Sequence, residues 1–133
     1  MMRTRCRKTR TARGAVNILV LEDDMDQAKL LSDALKGHGF RVIYAHDGKV
    51  GLALARHTKP HLVLLNELMP GMNGIEVLRE LRADQGTAAI KVILNSAEAG
   101  YEASAREAGA DDFLHKPMMI SGLLEMVSRV LGL

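Results

Sequence analysis

The chain has 133 residues, 47% hydrophobic and 26% charged, which is the size and texture of one globular domain. No apolar run reaches the roughly 18 residues that a membrane helix needs, and the lone cysteine, Cys6, excludes zinc-ribbon and disulfide frameworks and points to a reduced, cytoplasmic setting. The formal charge of +2 joins two unlike segments: residues 1–13 hold six of the 18 basic residues and no acid, which leaves 12 basic against 16 acidic residues beyond them.

In chain order, residues 1–15 form a basic N-terminal tail, set apart from a domain at 16–133. The tail lacks the apolar stretch of a secretory signal. Its composition fits a transit peptide, a phosphate-binding arm for nucleic acid, or a functionless extension ahead of a native start near Val16. With so few apolar groups it is expected to be mobile when free.

From Asn17 onward, apolar runs suited to buried strands alternate with helical spacing. Ile18–Leu21 leads into a helix with Ala28, Leu31 and Leu35 on one face, Leu30 and Ala34 beside it, and Gly37 and Gly39 to stop it. Val42–Ala45 leads into a helix over Lys49–His57. Leu62–Leu65 leads into Ile75–Ala83, where Ile75, Leu78 and Leu81 or Arg82 recur at helical intervals. Val92–Leu94 leads into Tyr101–Ala108, closed by Gly109. A weaker run, Phe113–Leu114, leads into Ile120–Leu131, which turns Leu123, Leu124, Val127 and Leu131 inward. Continuous apolar strands are covered on both faces, so the five units predict an α/β domain: a doubly wound five-stranded parallel sheet with helices on both faces.

Such sheets bind ligands beyond the carboxyl ends of their strands. There the chain offers Glu22-Asp23-Asp24, Asn66-Glu67, Asn95-Ser96-Ala97 and His115-Lys116-Pro117. Three crowded carboxylates suit a cation such as Mg²⁺, and equally suit capping of the first helix by Asp23, Asp24 or Asp26. Lys116 and Ser96 at neighbouring edges make the cluster a candidate site for a phosphoryl group with its metal. Glycine-rich nucleotide loops and hydrolase motifs are missing, and the five histidines show no ligand spacing and read as surface or loop residues.

Ile18-Leu19-Val20-Leu21-Glu22-Asp23-Asp24, Pro60–Leu65, Met69-Pro70-Gly71-Met72-Asn73-Gly74 and Gly109–Pro117 closely resemble the receiver domain of bacterial response regulators. The resemblance covers residues 17–133 and implies a flavodoxin-like sheet of order 2-1-3-4-5, an order long associated with chemotaxis receivers. It implies that Glu22 and Asp23 hold Mg²⁺ together with the backbone carbonyl of Leu68. Ser96 matches the switch hydroxyl, Lys116 the phosphate-pairing lysine before a cis peptide to Pro117, and Phe113 the aromatic switch. The phosphoacceptor aspartate of the family falls on Asn66.

An amide lacks the anionic oxygen that attacks phosphorus, so the chain as written is not phosphorylatable. Asn66 also removes one anionic metal ligand, which weakens Mg²⁺, and it relieves repulsion among the acids. Glu67 beside it offers no rescue, because adjacent strand residues point to opposite faces. A substitution made to trap the unphosphorylated state and a natural pseudo-receiver that works by binding alone both account for Asn66. The implied partners are a sensor histidine kinase or phosphotransfer domain and a downstream protein at the face of the fourth and fifth helices, with Met118, Met119 and Tyr101 as adaptable contacts. Packing at the start of the last helix is the plainer role for Met118 and Met119. No enzymatic activity is expected, since short connections leave little room for a substrate pocket. The acidic body, with no helix-turn-helix after Leu133, is not expected to bind DNA; only the basic tail offers nucleic acid a contact.

Overall fold

The computed structural model describes residues 16–133, so the basic tail assigned to residues 1–15 lies outside the described residues. The elements run β1 (Asn17–Leu21), α1 (Met25–Gly37), β2 (Arg41–Ala45), α2 (Gly48–Thr58), β3 (Leu62–Asn66), α3 (Gly74–Ala83), β4 (Lys91–Ser96), α4 (Tyr101–Glu107), β5 (Asp112–His115) and α5 (Ile120–Leu131). All strand pairs are parallel and the order is β2-β1-β3-β4-β5. The winding reverses between β1 and β3, which sets the ligand-binding crevice at their carboxyl ends.

Alternation of side chains across the sheet divides the apolar runs between two cores. Leu19, Leu21, Val63, Leu65, Val92 and Leu94 face α2, α3 and α4 through Leu52, Ala55, Val77, Leu78, Leu81 and Ala105. Ile18, Val20, Leu62, Leu64 and Ile93 face α1 and α5 through Leu31, Leu35, Leu123 and Val127. In β1, β3 and β4 the continuous apolar run therefore has a simple cause, since its residues meet one core or the other. β2, expected from Val42–Ala45 to be a buried strand, is instead the edge of the sheet, with Ile43 and Tyr44 exposed and only Ala45 buried, because an edge strand lies past the helices that cover the centre.

Further details depart from the sequence pattern or settle what it left open. Leu30, placed beside the inner face of the first helix, is 52% exposed, and Ser32 takes the inner position instead. At 100° per residue Ser32 falls within the stripe of Ala28, Leu31 and Leu35, while Leu30 falls outside it. β4 runs from Lys91 to Ser96, beyond the apolar Val92–Leu94, because Lys91 and Asn95 still pair with β3 and Ser96 with β5. At the end of α3, Leu81 is the buried member of the pair left open by the spacing, and Arg82 turns to the loops.

Candidate functional site

The carboxyl edges of β1, β3, β4 and β5 surround a cleft of about 390 Å³ lined by Glu22, Asp23, Asn66, Leu68, Ser96 and Lys116. Six of the seven residues singled out in the sequence thus meet in one place. The seventh, Phe113, lies on β5 with its ring buried in the core beneath α4.

The three acids after β1 divide their roles. Asp24 caps α1, its carboxylate accepting the Gln27 N–H at 3.0 Å. Glu22 and Asp23 turn to Asn66 instead. The Asn66 amide nitrogen donates to Glu22 Oε2 at 3.0 Å, to Asp23 Oδ1 at 3.1 Å and to the Leu68 carbonyl at 2.8 Å. Two hydrogens thus serve three acceptors, so one is shared. The carboxamide oxygen faces the other way and accepts from Lys116 Nζ at 2.7 Å. This network fixes the amide's orientation, because a reversed group would set an N–H₂ against an ammonium and an oxygen against carboxylates.

Lys116 also pairs with Glu22 Oε1 at 3.4 Å. Burial pushes the Glu22 carboxyl up from its ordinary value, and a hydrogen bond with Asp23 adds to the rise; Lys116 opposes both. The loop after β3 that presents the Leu68 carbonyl is closed by Gly74, whose N–H bonds the Glu67 carbonyl at 2.8 Å. A Cβ at Gly74 would sit 2.5 Å from the Asn66 carbonyl oxygen, so only glycine lets α3 start this near the site. The Lys116–Pro117 peptide is cis.

Glu22, Asp23 and the Leu68 carbonyl are hard oxygen donors converging on one point, a set that fits Mg²⁺. The Asn66 nitrogen stands at that point and takes up the same oxygens. Among the described residues no group of three or more His, Cys, Asp or Glu side chains is placed to hold a metal, so the two acids need the backbone carbonyl as a third protein donor.

Other residues sort plainly. Met118 packs against the α1–α5 core, as its plainer role requires, whereas Met119 is 75% exposed and Tyr101 39%. His46 is half-buried, with Nδ1 3.0 Å from the Glu22 carbonyl, so it touches the backbone behind the site although its sequence gave no such signal. Glu67 is buried, and its carboxylate accepts the Ser96 hydroxyl; the sequence pattern had left it without a role.

A family model for the response regulator receiver domain matches residues 18–128. Protein PilH of Pseudomonas aeruginosa is 36% identical over 117 residues, covering 86% of this chain and 97% of that protein. The DNA-binding response regulator MtrA of Mycobacterium tuberculosis is 40% identical over 113 residues, covering 85% of this chain and 48% of MtrA. This chain therefore spans about half the length of MtrA. Among solved structures, the receiver domain of a sensor histidine kinase from Pseudomonas aeruginosa, with a magnesium ion coordinated in the active site cleft, has a TM-score of 0.81 at 25% identity and covers 89% of this chain and 98% of its own. The chemotaxis response regulator CheY4 of Vibrio cholerae shares the fold at a TM-score of 0.82 and 24% identity, over 86% of this chain and 98% of its own.

Proposed function

The chain belongs to the response regulator receiver domains of two-component signalling, and we propose that it is a receiver closed to phosphorylation at its acceptor position, Asn66. The observation that carries this reading is the carboxamide itself, held on one side by Glu22, Asp23 and the Leu68 carbonyl and on the other by Lys116. An amide oxygen already bonded to an ammonium is a poor nucleophile, and no anionic oxygen stands in its place.

Glu22, Asp23 and the Leu68 carbonyl would hold magnesium, which when bound supplies positive charge beside a phosphoryl oxygen. To admit it, the Asn66 amide must give up its three acceptors, so the affinity of the site is reduced. In the same reading Lys116 pairs with a phosphate oxygen and Ser96 is the switch hydroxyl, with Phe113 transmitting the change toward α4 and α5. The domain occupies residues 16–133, works in the cytoplasm and is a signalling module without enzymatic turnover of its own. A sensor histidine kinase or phosphotransfer domain is its upstream partner, and a downstream protein meets the face of α4 and α5.

Intact-mass measurement after incubation with Mg²⁺ and acetyl phosphate tests the reading. The chain is expected to gain nothing, and Asn66→Asp to gain one base-labile phosphoryl group. Base-labile phosphorylation of the unaltered chain would overturn it. A second reading, a pseudo-receiver that binds its partner without phosphorylation, is favoured by the exposed Met119 and Tyr101 beside a closed site. It predicts that partner capture by Asn66→Asp is the same with and without acetyl phosphate; a dependence on the donor would contradict it.

A further inference from the structure

Glu67 is a carboxylate only 4% exposed, and no lysine, arginine or histidine pairs with it among the described residues. A buried charge without a counter-ion is costly, so what holds it deserves an explanation. Its N–H bonds the Asn95 carbonyl at 2.9 Å, which extends the β3–β4 ladder one step past Asn66. Leu65 and Leu94 are register partners, both in the core beneath α3 and α4. Two residues on, Glu67 and Ser96 share that same face, opposite to Asn66.

There the Ser96 hydroxyl donates to Glu67 Oε1, while Ser96 Oγ accepts the Glu98 N–H at 2.9 Å. Glu98 in turn accepts the N–H of Tyr101, the first residue of α4, on its carbonyl at 3.1 Å. Glu67 and Tyr101 line one cleft, and the nearby Glu67 carboxylate raises the pKa of the Tyr101 phenol. A serine hydroxyl has one hydrogen to give. Donated to Glu67, it is not available to an anion carried on residue 66.

We infer that Glu67 is a positioning residue that latches Ser96 and the start of α4 in one arrangement, standing in for the anionic acceptor that a phosphoryl group on residue 66 would offer. The last clause rests on the reading of the cleft as a phosphoryl site; the latch itself does not. A charge-assisted hydrogen bond of this kind is roughly twice as strong as a neutral one, so a competing acceptor must displace a favoured partner. The switch hydroxyl is therefore fixed by the chain's own sequence, whatever happens at Asn66.

The two tyrosines make the latch measurable in the full chain labelled with 3-fluorotyrosine, because Tyr101 opens α4 while Tyr44 lies on β2 at the far edge of the sheet. Ser96→Ala and Glu67→Leu are each expected to shift the Tyr101 fluorine resonance and to speed amide exchange at Glu98, with Tyr44 unmoved. The double variant is expected to go no further than Glu67→Leu alone. Glu67→Gln, which keeps an acceptor oxygen but loses the charge, is expected to shift the Tyr101 signal less than Glu67→Leu does. Additive shifts in the double variant, or a Tyr101 signal indifferent to Ser96→Ala, would overturn the latch; Ser96→Ala removes a single oxygen and decides the matter even if Glu67→Leu does not fold. With Asn66→Asp added, beryllium fluoride is expected to move the Tyr101 signal only when Glu67 is replaced by leucine. A full response with Glu67 present would overturn the stand-in role. Failure of beryllium fluoride to bind Asn66→Asp at all would count against the phosphoryl-site reading and leave the latch to the double variant.

Discussion

At residue 66 an NH₂ group stands where aspartate would carry a second oxygen, and the exchange changes what every neighbour does. The amide gives hydrogens to two carboxylates and a carbonyl that an aspartate could only repel. Asn66→Asp therefore removes the two donated hydrogens that these three acceptors share and adds a third negative charge, with Lys116 as the one nearby compensation. Without Mg²⁺ it is expected to lower unfolding free energy by about 1–3 kcal/mol, and with Mg²⁺ to regain much of that, as read by urea denaturation. A variant as stable as the original chain in metal-free buffer would show that the amide is not holding the acids together. Glu22 gives the matching pH dependence. Its folded pKa is raised above 4.5, first by burial and then by the bond with Asp23, so the folded chain keeps a proton that the unfolded chain has lost. Stability is complete below 4.5 and falls as pH rises through the raised value. Glu22→Gln is expected to remove that fall, and an unchanged slope in denaturation series across this window would contradict the assignment.

Among the elements, α3 shows what periodicity can and cannot deliver. Its buried face was legible, but the spacing left Leu81 and Arg82 as alternatives, because a helical period cannot say where a long polar side chain goes at the last turn. Arg82 donates through Nε and Nη2 to the Gly109 carbonyl at 3.0 and 2.8 Å, through Nη2 to Asp111 at 3.0 Å, and through Nη1 to the Ile90 and Ala88 carbonyls at 2.6 and 3.0 Å. All five N–H donors are used, and they tie the end of α3 to the turns before β4 and β5. Gly109 makes room for this with φ of +107° and a Cβ position 3.0 Å from Arg82 Nε. Lysine has neither the fork nor the donors to replace it, so Arg82→Lys is expected to cost about 2–3 kcal/mol in chemical denaturation. A loss below about 0.5 kcal/mol would mean that these bonds merely replace equally good ones to water.

For the whole molecule, the strand–helix alternation was legible because the central strands β1, β3 and β4 are sandwiched between two cores, which makes their runs apolar. The exposed Ile43 and Tyr44 of edge strand β2 read as buried only because sequence does not mark an edge. The strand order was not in the pattern; it came with the resemblance, since local periodicity carries no information on which strands pair. The polar cleft residues were legible as side chains at strand ends, where an α/β sheet gathers them from distant parts of the chain, whereas Leu68, which contributes a backbone carbonyl, came only with the resemblance. Glu67 was half legible. Parity placed it on the face away from Asn66, and the same parity applied to β4 would have set Ser96 beside it, but that step needs the β3–β4 register. The division of labour among Glu22, Asp23 and Asp24 also needed three dimensions, because all three suit a cap or a cation equally in sequence.

Calorimetric titration of the chain and of Asn66→Asp with Mg²⁺ is the most direct test of the closed site. Two carboxylates and a carbonyl that already serve the Asn66 amide should bind the metal weakly, while the variant gains an anionic ligand and loses the competitor. Affinity is expected to rise on the order of tenfold or more in the variant. Equal affinities would mean that the carboxamide neither blocks the metal's oxygens nor matters to them, and that Asn66 is not what closes this receiver.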